Sequence, residues 1–496
     1  MTPSRGLSPL DQTVALTGLI IVILTGLVLW RGDQVGLAVK AFTPAAGSTA
    51  TSIRTPITLQ FDDTLATMDG VRVVAVPPIS GTVSSRGNTL VFTPAVPLSP
   101  ATTYTLTLEG TLQGRQGHTL HSPPAWSFTT AAMQLLFTDV ERDPATQTAT
   151  NQLFAVPAVF APQPPGGLPA RSRLTDTPYG VWDSALSPDG STIIFSSLSD
   201  EGNSDLWITT PGSASSTLLL ACPEAFCSTV SFAPDGTLIA YSQRNASQFG
   251  ASSVSPPRLY LLELATGASY PVFSDSQKLG FDARWSRDGQ WLAYLSSDRG
   301  GLGVYNLQNG EERFYSTPTG ESGVWSPVEN RLLFTELRQL TGTVSSTEGS
   351  TVSNTVSNTV DAAAPLYVVH INSVNPVTGE QINLSGEQAP VEDSSPAFSP
   401  DGTWIAFRRM VQNEEGGGRS KQLWLMRSDG GDARPLTNDP TIDFGPPAWS
   451  PDGRYLLFHR FPLRGPEIVI SVWMMDVVTG EMWQVATPGQ RPQWLP

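Results

Sequence analysis

The chain has 496 residues and carries 44 acidic against 29 basic side chains, which gives a net charge of −15 near neutral pH. This acidic balance argues against a nucleic-acid-binding role, because such surfaces need clustered lysines and arginines to displace counterions. A chain of this length has ample material for a core, so its two cysteines are not required for stability.

The first element in chain order is an apolar stretch over residues 12–30 that contains no charged side chain. At 1.5 Å per residue it spans roughly 28 Å, about the hydrocarbon thickness of a bilayer. We predict a transmembrane helix over 12–30, preceded by a cytoplasmic stub over 1–11. The alternatives are a buried core helix, for which the stretch is too uniformly apolar, and a cleaved signal peptide, for which Trp30–Asp33 does not resemble a cleavage site.

Short alternating stretches between residues 42 and 130 predict a second unit, a small β-sandwich whose strands are separated by turn residues. The predicted strands are Ile57–Phe61, Val71–Val74, Thr89–Phe92, Tyr104–Leu108 and Trp126–Thr129. The order of Phe92-Thr93-Pro94, Leu98 to Tyr104, and Phe128-Thr129 resembles the bacterial Ig-like domains (SbsA type) of surface proteins. The resemblance implies that residues 42–130 act as a spacer.

One four-residue phrase recurs along the rest of the chain, beginning with Ser187-Pro188-Asp189-Gly190. Proline presets φ at the first turn position, aspartate caps its own backbone, and glycine takes a positive φ without a Cβ clash. Each phrase therefore predicts a tight turn between two β-strands. Near-copies begin at Ala233, Ser286, Ser399 and Ser450, and a degenerate copy at Ser326 has Asn330 where the glycine should be.

The runs that follow each phrase predict the blades of a β-propeller. An apolar run ending in an aromatic residue comes first, then a run centred on an aromatic, then a more polar run, which makes four short strands per repeat. Six phrases alone indicate six blades, which is the alternative. Leu135–Phe137 matches the strand after a phrase, however, so we predict a seven-bladed propeller over 134–496 whose first blade lacks its own first strand.

The C-terminal stretch Pro492–Pro496 matches the strand that precedes a phrase. We predict that it pairs with Leu135–Phe137 and closes the ring, which removes two open sheet edges. The fold class is therefore all-β, apart from the N-terminal helix.

The repeated phrase resembles that of the TolB-like propeller family, and the resemblance covers about three quarters of the chain. TolB itself is six-bladed and carries an α/β domain before its propeller, so a role in a Tol system is not implied. The same phrase occurs in propellers attached to prolyl-oligopeptidase-type hydrolases, but we expect no hydrolase domain here.

The two cysteines, Cys222 and Cys227, lie five positions apart. A disulfide across a tight loop fits an oxidising, extracytoplasmic compartment. Two free buried thiols are the alternative. A metal site is not expected, because no further cysteine or nearby histidine completes a tetrahedral set.

Catalytic and metal-binding motifs are not found in the sequence. His118 and His121, three apart on a strand, point to opposite faces, and we interpret His370 and His459 as polar residues at the propeller rim. The chain has no Gly-x-Ser-x-Gly elbow, P-loop or dinucleotide fingerprint. The acidic stretch Asp200–Asp205 departs from EF-hand spacing. We therefore predict no catalytic residue, no cofactor, no metal and no enzymatic activity.

The connections between the second and third strands of the repeats indicate where a ligand binds, because they vary in length while the turns do not. The long ones are 243–257, 411–420, 459–468 and 336–364, and the last contains a Ser/Thr-rich stretch over 351–358. All emerge on the face opposite the tight turns, and variable loops on a rigid scaffold usually carry recognition. We predict that this face binds a protein or a glycan.

These observations together predict a single-pass protein of the cell membrane, with most of the chain extracytoplasmic, that presents its propeller for binding or scaffolding. One alternative is an assembly or accessory component of an envelope or transport complex. Another is a propeller enzyme acting on glycans, which would need converging acid and base groups in a central pocket.

Overall fold

The computed structural model describes most of the chain, in two units, Met1–Ala131 and Ala132–Pro496. Residues 1–8 of the predicted stub, His121, the stretch 351–358 and Pro496 of the predicted closing strand lie outside the described residues. The described residues are 9–32, 36–49, 51, 53, 55–95, 98–120, 125–142, 147–164, 167–213, 215–246, 254–340, 366–412, 420–465 and 468–495.

The N-terminal apolar stretch forms a helix, α1 (Pro9–Gly32), three residues longer at its start than the predicted 12–30 and two longer at its end. Among the helices of the described residues, none is both long enough and apolar enough to cross a membrane. The membrane span predicted over 12–30 is therefore not supported.

The rest of the first unit is a β-sandwich of a four-stranded and a three-stranded antiparallel sheet. Its strands are β1 (Val39–Thr43), β2 (Ile57–Phe61), β3 (Leu65–Val76), β4 (Gly81–Arg86), β5 (Thr89–Pro94), β6 (Thr103–Gly114) and β7 (Ala125–Thr129). The orders of the two sheets are β1-β2-β5-β4 and β3-β6-β7. The inward-facing side chains alternate along each strand, as in β2, where Ile57, Leu59 and Phe61 are fully buried. The sequence prediction missed β1 and β4.

The second unit is a β-propeller made of short strands. They are β8 (Gln134–Arg142), β9 (Ala149–Pro157), β10 (Ser172–Arg173), β11 (Val181–Leu186), β12 (Ile193–Leu198), β13 (Ser204–Thr209), β14 (Thr217–Leu220), β15 (Ala225–Phe232), β16 (Leu238–Asn245), β17 (Arg258–Glu263), β18 (Ser269–Pro271), β19 (Phe281–Trp285), β20 (Trp291–Ser296), β21 (Gly301–Asn306), β22 (Glu312–Tyr315), β23 (Val324–Trp325), β24 (Leu332–Leu340), β25 (Leu366–Val374), β26 (Gln381–Asn383), β27 (Val391–Phe398), β28 (Trp404–Val411), β29 (Gln422–Arg427), β30 (Arg434–Pro435), β31 (Ile442–Phe444), β32 (Ala448–Trp449), β33 (Tyr455–Pro462), β34 (Ser471–Asp476), β35 (Met482–Ala486) and β36 (Gln490–Leu495).

These strands form five sheets. The first has the order β10-β9-β8-β36, the second runs from β11 to β18, and the third is β19-β20-β21-β22. The fourth runs from β23 to β30, and the fifth contains β31 to β35. The C-terminal strand β36 pairs antiparallel with β8, and Trp494 lies opposite Leu135, as the sequence predicts. This pairing joins the two ends of the second unit in one sheet.

The repeated phrase forms the tight turns that the sequence predicts. In the copy at Ser399, the Ser399 hydroxyl donates to Asp401 Oδ1, and the Thr403 backbone N–H donates to the same oxygen at 3.1 Å. Gly402 has a φ of 72°, a backbone conformation that residues with a Cβ atom rarely adopt. Burial tends to raise the pKa of Asp401, but the hydrogen bonds from Ser399 and Thr403 outweigh it and hold the pKa below its usual value.

The core of the second unit lies between neighbouring groups of strands. The aromatic residue that ends each post-turn run is buried there, because alternation along the strand points it at a neighbouring group. Phe195, for example, is fully buried in a cluster with Leu136 and Leu153 of the preceding sheet. The equivalent residues, all at most 2 % exposed, are Phe137, Tyr241, Tyr294, Phe334, Phe407 and Phe458.

Candidate functional site

A cleft of about 270 Å³ opens between the strand pairs β24–β25 and β27–β28. Leu337 lies in the half of β24 that is remote from the tight turn at Ser326, and Arg408 lies in the half of β28 that is remote from the turn at Ser399. The cleft therefore belongs to the face predicted to bind. We call it the long-loop cleft, because residues 341–365 and 413–419 connect the strands on its two sides. It is lined by Pro318, Thr319, Glu321, Thr335, Leu337, Val369, Asp393, Ser394, Arg408 and Lys421.

Strand alternation explains which side chains reach the cleft. Thr335 and Arg408 each follow the buried aromatic residue of their strand, Phe334 and Phe407, and so point to the opposite side. The two aromatics form the core, and the residues next to them are left to line the opening.

Lys421, which immediately precedes β29, brings a cation into this cleft. Its Nζ donates to Ser394 Oγ at 3.0 Å, and no carboxylate of the described residues lies within ion-pair distance of it. Burial lowers the pKa of Lys421 below its usual value, and the neighbouring Arg408 guanidinium lowers it further. The negative charges of Glu392, Glu321 and Asp443 act in the opposite direction but do not restore the usual pKa. The ammonium group is therefore partly desolvated, and the nearest carboxylates of the described residues lie beyond ion-pair distance. Lys278, in contrast, pairs with Glu312 at 2.7 Å.

The second cation, Arg408, is already compensated. Its guanidinium pairs with Asp443 at 2.7 Å, and it also donates to the carbonyl of Phe444. Asp443 is 8 % exposed and also accepts a hydrogen bond from the backbone N–H of Lys421 at 3.1 Å. Asp443 therefore holds both the Arg408 side chain and the backbone that carries Lys421.

The carboxylate on the other wall, Glu321, is held by donors from two strands, β24 and β27. It accepts from the backbone N–H of Ser395 at 3.0 Å and from the Thr335 hydroxyl at 3.1 Å. Ser395 lies in a bulge of β27 with a φ of 51°, which directs its N–H across to Glu321. Glu321 therefore links β24 and β27 at this wall of the cleft.

The third carboxylate, Asp393, serves the fold. It is fully buried and forms two hydrogen bonds of 2.7 Å with Arg409, which is itself 7 % exposed. Ser385 Oγ also donates to it. Its charge is therefore compensated, and Lys421 is the cation in the described part of the cleft that remains for a ligand.

The structure corrects the interpretation of the propeller histidines as rim residues. His370 lies inside β25, is fully buried, and has both ring nitrogens within hydrogen-bond distance of Ala389 O (2.8 Å) and the Asn383 amide (3.0 Å). His459 lies inside β33, and its Nδ1 has no partner among the described residues. Burial lowers the pKa of His459 to about 4, so the ring is neutral at pH 7.

The remaining candidates from the sequence lie apart from the cleft. Cys222 and Cys227 form a disulfide with their Cα atoms 6.3 Å apart, and both are buried in the core between β13 and β16. In the acidic stretch, Asp205 accepts a hydrogen bond from the backbone N–H of Cys222 at 2.8 Å, which gives it a structural role. The described residues hold no group of three or more His, Cys, Asp or Glu placed to bind a metal ion.

Sequence reasoning missed Lys421, Arg408 and Glu321. One signal was available, because the chain has only three lysines, Lys40, Lys278 and Lys421. Scarcity alone did not distinguish Lys421 from Lys278, whose charge is compensated.

Comparisons with known proteins agree with this architecture. Residues 33–130 match the family model of the bacterial Ig-like domain. The chain is similar to TolB from Acinetobacter baumannii, with 14 % identity over 86 % of this chain and 83 % of that one and a TM-score of 0.41. A puromycin-hydrolysing peptidase from Mycobacterium tuberculosis gives 14 % identity over 72 % of this chain and 52 % of that one, with a TM-score of 0.51.

One curated relative corrects the prediction that the protein is not an enzyme. The uncharacterised peptidase YuxL of Bacillus subtilis is 28 % identical over 217 residues, which cover 39 % of this chain and 31 % of that protein. The chain thus matches about a third of the length of a protein named as a peptidase, and the prediction of no enzymatic activity is overturned. Residues 33–130 are a bacterial Ig-like domain, and the structural neighbours of the chain include TolB and other β-propeller proteins.

Proposed function

We propose that this protein is a polypeptide-binding scaffold whose propeller captures an acidic segment of a partner in the long-loop cleft. The observation that carries the proposal is Lys421, a partly buried ammonium group with no ion-pair partner among the described residues. Removing a charge from water without pairing it lowers the stability of the folded protein. A ligand that supplies the opposite charge would offset this loss.

The rest of the cleft supports a polypeptide as the ligand. Leu337, Val369 and Pro318 provide an aliphatic wall beside the ammonium group, which suits an acidic side chain flanked by an apolar one. None of the ten lining residues in the described part of the chain is aromatic, so the cleft offers no ring on which a sugar face could stack. These features favour a protein over the glycan that the sequence also allowed.

An array experiment tests this proposal. The full-length chain is applied to end-blocked peptides that carry Glu, Asp, Gln or Asn at the centre of otherwise equal sequences, and to a glycan array. We expect retention on peptides with a central carboxylate and loss of retention in Lys421→Met. Lys40→Met is the matched control, because Lys40 is exposed on β1 and its replacement changes the net charge equally. Retention on glycans alone would contradict the proposal.

A second candidate function is a role in peptide hydrolysis, favoured by the match to the peptidase YuxL. A polypeptide-binding propeller fits such a role as the part that admits the substrate. Incubating the purified chain with a mixture of unblocked peptides, followed by mass spectrometry, tests it. New peptide termini that appear in proportion to the amount of chain would support hydrolysis, and their absence would leave binding as the function.

We also infer that the propeller has seven blades. Two of the sheets contain eight strands, but the two halves of each sheet are joined by one parallel residue pair only. This pair is Ser204 with Phe226 in the second sheet and Val369 with Glu392 in the fourth. Division at these weak junctions leaves antiparallel groups of about four strands throughout the second unit. An experimental map with six groups around the axis would overturn the count.

We further propose that α1 attaches the protein to a membrane and that the propeller lies outside the cytoplasm. The apolar side chains of Val14, Leu16 and Leu19–Leu24 are each about half exposed or more. An exposed apolar surface of this kind is typical of a membrane or protein contact. The disulfide fits an oxidising compartment. Fractionation tests both points: the chain should sediment with membranes, and protease added to spheroplasts should digest it. Recovery of the intact chain in the cytosolic fraction would contradict both.

A further inference from the structure

A second, larger cavity of about 410 Å³ lies on the face of the tight turns. It is formed by β15, β19 and β23 together with the turn phrases that follow them, and we call it the turn-face pocket. The residues that matter here are Ser231, Arg284, Trp285, Arg287 and Trp325. The long-loop cleft shares none of these residues and lies towards the opposite ends of the strands.

The turn-face pocket contains a buried hydroxyl without a partner. Ser231 is 9 % exposed, and its Oγ has no hydrogen-bond partner among the described residues. Buried polar atoms are nearly always paired, and one that is not paired in the protein is a natural site for a ligand atom.

The pocket also contains a cation that the repeat does not require. Arg287 occupies the position where most other copies of the phrase have proline, so the turn itself does not need it. It is exposed and forms no ion pair with any described residue. An unpaired arginine is notable at a pocket entrance in a chain with a net charge of −15.

The neighbouring charges set the charge of the ligand. Arg284 is already paired with Asp282 at 2.8 Å and also donates to Ser322 Oγ at 3.2 Å. Among the described residues that line the pocket, Arg287 is therefore the cation without an ion-pair partner, which matches a ligand with a single negative charge.

Two aromatic rings indicate that the rest of the ligand is apolar. The indole N–H of Trp285 donates to Ser231 O at 3.2 Å, and that of Trp325 donates to Arg284 O at 2.9 Å. With their polar atoms satisfied by backbone carbonyls, the two rings present carbon surface to the pocket. That surface suits a flat or aliphatic substituent.

We infer that the turn-face pocket binds a small monocarboxylate with an apolar substituent, its carboxylate held by Arg287 and the Ser231 hydroxyl. The assignment is independent of the long-loop cleft and of the polypeptide proposed there.

Calorimetric titration of the full-length chain with hydrocinnamate tests this inference, with hydrocinnamyl alcohol and inorganic phosphate as comparison probes. We expect hydrocinnamate to bind at least about tenfold more tightly than either, because charge-assisted hydrogen bonds distinguish it from the alcohol and apolar contacts distinguish it from phosphate. No binding of hydrocinnamate, or equal binding of the alcohol or of phosphate, would overturn the assignment.

Two variants locate the site without endangering the fold. Arg287→Pro restores the residue of the other phrases, and Ser231→Ala removes a hydroxyl that has no partner to lose, so both should keep or raise thermal stability. Each should weaken hydrocinnamate binding by about tenfold. Arg142→Gln, an exposed arginine outside the pocket, is the charge-matched control and should have no effect. Wild-type affinity in both pocket variants would refute the site, and Lys421→Met should leave it intact.

Discussion

Replacing Trp494 by alanine tests the closure of the propeller, because this side chain joins β36 to two other parts of the second unit. Trp494 is 8 % exposed, and its indole N–H donates to the carbonyl of Ala448 in β32 at 2.9 Å. Its ring also stacks on Phe160 with centroids 6.3 Å apart. The replacement removes all of these contacts and leaves the backbone pairing with β8 in place.

The expected cost follows from these contacts. Truncating a buried tryptophan to alanine costs about 3–5 kcal/mol, of which the hydrogen bond to Ala448 accounts for about 1 kcal/mol. We therefore expect the free energy of unfolding of the second unit to fall by about 4 kcal/mol, a large share of a typical 5–15 kcal/mol. Urea unfolding followed by tryptophan fluorescence measures it, because all thirteen tryptophans except Trp30 and Trp126 lie in this unit.

Trp182 provides the matched control for this measurement. It lies on β11 and is 60 % exposed, so Trp182→Ala should change the free energy of unfolding by less than about 0.5 kcal/mol. If Trp494→Ala were as mild as Trp182→Ala, β36 would contribute little to the second unit and the closed ring would be refuted.

Three further predictions follow from other contacts. Asp401→Ala should lower the free energy of unfolding by about 1 kcal/mol at pH 7, because the turn hydrogen bonds are lost. Since the folded-state pKa of Asp401 is lowered, this contribution is complete above about pH 4 and should vanish as the pH falls through the folded-state pKa. Urea unfolding at a series of pH values measures it. Reducing the Cys222–Cys227 disulfide, which closes a short loop, should cost about 2 kcal/mol, whereas free thiols in the denatured, unreduced chain would contradict the bond. Burial lowers the pKa of Lys421, so the free energy of unfolding of the wild type, relative to that of Lys421→Met, should rise with pH between the lowered pKa and about 10.4. If the difference between the two free energies did not change with pH, the result would argue against a buried ammonium group.

The sequence predicts much of the second unit because its information is local. The Ser-Pro-Asp-Gly phrases encode their turns through φ preferences, and the aromatic residue after each turn encodes the buried side of its strand. The match of the tail to the strand before a phrase was enough to predict that β36 pairs with β8. In the first unit β1 and β4 were missed, because the exposed Gly81–Arg86 carries little apolar alternation.

The candidate site could not be predicted in the same way, because its residues are brought together only by the packing of separate repeats. Glu321 precedes β23, Arg408 lies in β28, and Lys421 precedes β29. Their roles depend on which charges are compensated, as the pairing of Arg408 with Asp443 shows. His370 was misplaced for a related reason: β25 extends to Val374, so a residue interpreted as part of the rim lies inside a buried strand.

A double-mutant cycle across the long-loop cleft tests the central claim most directly. The dissociation constants of a Glu peptide selected from the array and of its Gln counterpart are measured for the wild type and for Lys421→Met. The wild type should prefer the Glu peptide by about tenfold or more, and Lys421→Met should bind the two equally. The same preference for glutamate in both proteins would show that Lys421 does not recognise the acidic side chain, and would contradict the account.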